Sequence, residues 1–205
     1  MEWKREPDEN ERIVRSHTAR APWLRDTVTQ QDTEMRRLRQ LRLVATYGIG
    51  GCSRILLSPR QSDAWADLAR GSKVSDTERA WIESFLKVAI PNAYRRVMHE
   101  QTDCRGYFLG EHNDRVIEQK PTESRKRLCL AREGEVKEIM NRGQASTLLM
   151  SNTLLLRSRI GKSLDRIGLI GFKDGTEEHA FLDFLPDARV GSRVIVHRNI
   201  ACENF

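Results

Sequence analysis

The chain has 205 residues, of which 39% are hydrophobic and 31% charged, a composition that supports a packed core and excludes an intrinsically disordered chain. Its 35 basic and 29 acidic residues leave a formal net charge of +6. The signs are interleaved rather than segregated, with Lys4, Arg5 and Arg12 among Glu2, Glu6, Asp8, Glu9 and Glu11, which argues against a dedicated nucleic-acid binder.

Residues 1–22 are charged, poor in apolar residues and interrupted by Pro7 and Pro22, so a mobile arm is expected there. The start is too charged for a signal peptide, and no apolar run approaches a membrane span. Cys52, Cys104, Cys129 and Cys202 are far apart and form no C-x-x-C pair, so free thiols in a reducing cytoplasm are expected.

The spacing of Val28, Met35, Leu38, Leu41 and Ala45 predicts a helix over 26–47, with an Arg-rich polar face. The glycine-rich stretch Ile49-Gly50-Gly51-Cys52-Ser53 lacks the spacing of a phosphate-binding loop and reads as a helix-ending turn. Ser58-Pro59 predicts a helix start, and Gly71 its end. Ser75-Asp76-Thr77-Glu78 is a capping-box pattern opening a helix with Trp81, Phe85 and Val88 on its inner face. A further short helix over 92–101 should turn Tyr94, Val97 and Met98 inward.

Residues 106–110 and 115–118 read as short strands around a polar turn. His99, Cys104 and His112 match no common zinc spacing and read as structural. Residues 119–126, with Pro121 and alternating hydroxyl and basic residues, read as a linker. Beyond it lie strand signals at 129–131, 135–139, 167–172, 178–184 and 193–197, separated by Gly, Asp and Pro turns. Short strands so spaced suggest a small closed barrel, because closure removes the sheet edges. Residues 145–156 are ambiguous between helix and strand. The expected fold class is therefore α+β: a helical module over 23–120, then a small OB-like or SH3-like β-barrel over 126–205 with an insertion at about 143–164.

Two blocks of the barrel resemble the HypC/HupF hydrogenase assembly chaperones. Cys129-Leu-Ala-Arg-Glu-Gly134-Glu-Val136-Lys-Glu138-Ile139 resembles the opening Cys-Leu-Ala strand of that family. Leu185-Pro186-Asp187-Ala188-Arg189-Val190-Gly191-Ser192-Arg193-Val194-Ile195-Val196-His197 resembles its second block, and Gly175 falls at the central hairpin. The resemblance implies a chaperone that carries or helps assemble an iron centre with cyanide and carbon monoxide ligands. Its implied partners are a HypD-type maturation protein and the hydrogenase large-subunit precursor. Cys129 and His197 would contact the iron centre or the partner, Cys129 as a soft thiolate ligand and His197 as a ligand or hydrogen-bonding neighbour. Gly134, Gly175, Pro186 and Gly191 would support the barrel.

The expected arrangement places Cys129 and His197 on one solvent-open face. Lys126, Arg127 and Arg132 flank Cys129 in sequence and are cations of the kind that favour a thiolate. This sequence departs from the family in several ways, among them Arg132 and Glu133 where the family has Ile-Pro before its glycine, and the extra segment at about 143–164. The cysteine lies behind a long N-terminal segment, and the glycine and phenylalanine that follow the family's histidine are Asn199 and Ile200 here. A nucleic-acid-binding or regulatory adaptor is the alternative reading, using the Arg-rich helix and barrel aromatics. No nucleophile–base arrangement, acid pair or cofactor fingerprint points to an enzyme.

Overall fold

The computed structural model describes residues 22–49, 57–144 and 159–205. The sequence readings at 1–21, at the glycine-rich turn 50–53 and over 145–156 lie outside the described residues. The chain divides into two compact units, Met1–Arg39 and Gln40–Phe205. Helix α1 (Pro22–Ile49) begins in the first and ends in the second. Its expected inward residue Met35 is 67% exposed, and among the described side chains of the helix the buried ones include Leu41, Val44, Ala45 and Tyr47.

Helix α2 (Pro59–Arg70) starts with a complete capping box, in which Ser58 Oγ accepts from Gln61 N and Gln61 returns a bond to Ser58 N. It ends at Gly71, whose φ of 80° closes the last turn. Helix α3 (Asp76–Ala89) has the predicted box between Ser75 and Glu78. Its buried residues are Ile82 and Leu86, whereas Val88 is 73% exposed. Trp81 and Phe85 pack partly buried beside that core.

Helix α4 (Pro91–Tyr94) continues into a π-turn, Arg95–His99. Asp103 caps helix α5 (Cys104–Tyr107) by accepting from Gly106 N at 2.9 Å. A second π-turn, Phe108–His112, leads into α6 (Asn113–Gln119). The expected strands at 106–110 and 115–118 are therefore helical. Buried Cys104, Tyr107, Phe108 and Val116 follow a helical repeat that the short apolar runs disguised. The linker is also shorter than expected, because α7 (Glu123–Cys129) starts within it, capped by Thr122.

Strands β1 (Ala131–Asn141), β2 (Arg166–Phe172), β3 (Glu177–Phe181), β4 (Arg193–His197) and β5 (Ile200–Asn204) form a closed barrel in the order β1-β2-β3-β5-β4. A short helix, α8 (Arg159–Ser163), precedes β2. The expected pieces at 129–131 and 135–139 differ from β1: Cys129 ends a helix, and β1 runs unbroken with a bulge between Val136 and Glu138. Bulging lets one long strand pair with β4 at one end and with β2 beyond it. Strand β5 was missed from sequence. It turns back from β4 at Arg198 and Asn199, whose φ angles of 53° and 62° suit a tight hairpin of the primed type. Closure is completed by the parallel pairing of Phe181 with Ile200.

Alternation divides the strands between two cores. Val194, Val196 and Ala201 point into the barrel with Val136, Ile170 and Leu182. Ile195, Ile200 and Cys202 point outward and join Tyr47, Trp65, Leu86 and Phe108 in a second core. Helices from Gln40 onward and the barrel are thus one compact unit with shared apolar burial, where the sequence reading has two modules joined by a linker. At Gly134 an added Cβ would come within 2.4 Å of Ile170 Cγ2, so the strand crossing admits no side chain there. Gly175 and Gly191 instead serve backbone conformation, with φ of 78° and 85°.

Candidate functional site

Strand alternation decides the position of His197. Val196 points into the barrel, so His197 points toward the helices, and its side chain is completely buried. Nδ1 lies 2.9 Å from the backbone carbonyl oxygen of Tyr47, near the end of α1. The backbone of Cys129, the last residue of α7, also bonds the ring. The final carbonyls of a helix lack intrahelical donors, and the single N–H of a neutral imidazole can satisfy one of these two at a time.

Burial pushes the His197 pKa well below its usual value, helped by the charges of His112 and Arg198. The two backbone bonds act in the opposite direction, and burial prevails. His112 sits edge-on to His197 with ring centroids 5.1 Å apart. Its pKa is also lowered, chiefly by burial. The π-turn that ends at His112 carries Phe108 at its start, and Phe108 stacks on Tyr47 at 4.0 Å. An extra residue in that turn rotates both rings toward His197, a placement that a regular helical repeat would miss.

Cys129 is 7% exposed. Its Sγ accepts a hydrogen bond from Arg198 Nη1 at 2.9 Å. Arg198 is brought there by its position in the β4–β5 turn, where its φ of 53° is unusual for an arginine. Asn199 stands where the resembled family has glycine, and asparagine tolerates the left-handed conformation it adopts. The start of β1 is held by Asn113. Its Nδ2 donates to Ala131 O at 2.8 Å, and its Oδ1 accepts from Ala131 N at 2.9 Å. These two bonds fix the backbone two residues beyond the thiol.

Cys129 and His197 therefore converge, but not on an open face. The expected solvent-open pair is corrected to a thiol at a cleft wall, with a fully enclosed imidazole behind its backbone. The three cations expected around the thiol have other partners. Lys126 pairs with Glu123, and Arg127 with Glu178. Arg132 pairs with Asp174 and Glu178 and lies over the Phe172 ring at 3.7 Å. Arg198, separated from Cys129 by 69 positions, takes their place. Sequence offered no signal for Arg198, Asn113 or Tyr47. His112 was noted only for its unfulfilled zinc spacing.

Cys129 and Arg198 line a cleft of about 700 Å3 together with Tyr107, Phe108, His112 and Arg115. Among the described residues there is no cluster of three or more His, Cys, Asp or Glu side chains able to hold a metal. His99, Cys104 and His112 accordingly form no such site. Gly175 and Gly191 lie in turns, Pro186 is an exposed turn residue, and none of the three lines the cleft of Cys129. Of the barrel aromatics, Phe172, Phe181 and Phe184 are buried, and Phe205 is 41% exposed with Arg105 and Arg193 over its ring.

Fold and site define a small closed barrel fused to a helical cap, with one cysteine presented at a cleft. Comparison with protein-family models, curated proteins and solved structures finds no match. No helix among the described residues is long and apolar enough to cross a membrane.

Proposed function

We propose that the chain is a cytoplasmic assembly chaperone of the HypC/HupF type, in which Cys129 is the thiol that meets the iron-centre cargo or the partner holding it. The observation that carries this reading is the Arg198 Nη1 to Cys129 Sγ bond at 2.9 Å in the wall of an accessible cleft. A buried structural cysteine has no need of a guanidinium. A sulfur that carries negative charge while ligating iron is complemented by one.

His197 takes a positioning role in this reading. Its ring lies beside the Cys129 backbone at the end of α7 and so helps hold the direction of the thiol. The helical segment supplies the opposite wall of the cleft and contributes to partner recognition. Support also comes from the two barrel blocks that resemble the family, which stand on β1 and on the turn preceding β4 together with β4 itself.

The test is co-expression of the tagged chain with a HypD-type protein and with a hydrogenase large-subunit precursor. Capture of either is expected for the wild type and loss of capture for Cys129→Ala, with circular dichroism unchanged. Equal capture by Cys129→Ala would sink the proposal.

A further inference from the structure

The cleft beside Cys129 has a second property that the chaperone reading does not use. Its described lining residues include Arg115, Lys120, Arg125 and Arg198 and no aspartate or glutamate. Two of these cations are already engaged, Arg115 with Glu111 at 2.6 Å and Arg198 with the Cys129 sulfur at 2.9 Å. Lys120 and Arg125 form no ion pair among the described residues, although acidic and basic residues are paired over much of the remaining surface. Lys120 lies close enough to His112 to help lower its pKa. Positive potential in a concave, partly apolar site is focused rather than dispersed, because the low-dielectric walls screen it poorly.

The other walls are apolar. Pro91, Tyr107, Phe108, Val116, Pro121 and Leu128 line the same space. A volume of about 700 Å3 lies within the range of small-molecule sites, which combine apolar walls with a few convergent polar groups. Bare inorganic anions would leave those walls without a partner, and an uncharged apolar ligand would leave the two cations unused.

We propose that this cleft is a binding site for a small organic polyanion, of carboxylate or phosphate class, that carries an apolar body. Its anionic groups meet Lys120 and Arg125, and its body lies against Pro91, Pro121 and Leu128. The site stands on the charge and shape of the cleft alone and holds whether or not the chain assists hydrogenase assembly.

Two probes test it by calorimetric titration of the full chain: trimesate, an aromatic ring bearing three carboxylates, and inorganic pyrophosphate. Trimesate is expected to bind one-to-one and more weakly as salt is raised. Lys120→Glu combined with Arg125→Glu is expected to weaken it by about tenfold or more. The same charge change made with Lys73→Glu and Arg189→Glu, exposed residues outside the cleft lining, is expected to leave it within about twofold. Pyrophosphate, which lacks an apolar body, is expected to bind at least about tenfold more weakly than trimesate. Absence of saturable trimesate binding would overturn the site, as would equal losses in the two double variants. Pyrophosphate binding as tightly as trimesate would overturn the organic ligand class. Client capture by the wild type is a separate assay, so either reading can fail alone.

Discussion

The imidazole of His197 in β4 reaches the backbone carbonyl of Tyr47 in α1 at 2.9 Å, across 150 positions of sequence. The bond ties the last turn of α1 to the barrel strand that leads into the turn of Arg198. His197→Ala removes the ring from a fully buried place and leaves a helix-end carbonyl without its donor. It is expected to lower unfolding free energy by about 2–4 kcal/mol, combining a cavity with unmade hydrogen bonds. Urea denaturation would measure this, and a loss below about 0.5 kcal/mol would contradict the buried geometry.

The same ring makes stability depend on pH. Folding lowers the pKa of His197 well below its usual value, and that of His112 as well. In the unfolded chain both titrate near about 6.5. Below that pH the unfolded chain binds protons that the folded chain does not, so stability falls as the medium is acidified. The loss approaches about 1.4 kcal/mol per pH unit for a histidine that stays neutral when folded. Above about pH 7.5 neither histidine contributes a slope. Unfolding midpoints of the wild type and His197→Asn at a series of pH values should show a shallower acid limb in the variant. Parallel limbs would show that His197 is protonated in the fold.

Arg198 combines a left-handed backbone with a hydrogen bond to Cys129 Sγ. Glycine adopts its φ of 53° freely, so Arg198→Gly is expected to leave the protein as stable as the wild type or up to about 1 kcal/mol more stable. If the Arg198–Cys129 bond serves client binding, the same variant loses client capture. Stability preserved with capture lost is the expected pattern in thermal melts and pull-downs run in parallel. Unchanged capture would separate Arg198 from the function.

Gly134 tests the barrel crossing. A methyl group there meets Ile170 Cγ2 at 2.4 Å and Gly171 O at 3.0 Å. Gly134→Ala is expected to cost about 1–3 kcal/mol through overpacking. Gly175→Ala meets no atom within 4 Å, yet its φ of 78° is strained for alanine, and it should cost about 1 kcal/mol. Thermal melts of the two variants would rank them, and the reverse order would argue against the register of β1 with β2.

Arg132 offers a final check on the cations assigned to the thiol from sequence. Its side chain is 15% exposed, bonds Asp174, Glu178 and Thr176, and covers the Phe172 ring. Arg132→Ala is expected to destabilise by about 1–3 kcal/mol without altering thiol-dependent capture. Arg132→Lys should recover little, because a lysine lacks the planar fork that reaches three partners. Loss of capture at full stability would return Arg132 to the site.

Local signals carried a large share of the fold. Capping pairs such as Ser75 and Glu78, the stop at Gly71 and the apolar strand signal at 193–197 each express a hydrogen bond or burial within a few residues, and the structure has all of them. They specify helices, strands and turns because their physics is local. What they could not specify is which residues meet across long separations. The apolar runs at 106–110 and 115–118 read as strands because a buried helix and a strand share short hydrophobic stretches. Only the Asp103 cap and the packing on Tyr47 decide for helix. Strand β5 was hidden because Asn199 makes the turn that a glycine would have announced. Cys129 and His197 stood out as a pair, but their burial depends on which face of β4 the helices cover. Sequence alone thus determined the helix starts at Ser58 and Ser75, four of the five barrel strands and the expectation of a barrel. Tertiary packing alone decided that the thiol lies in a cationic cleft with Arg198 beside it and the histidine sealed behind.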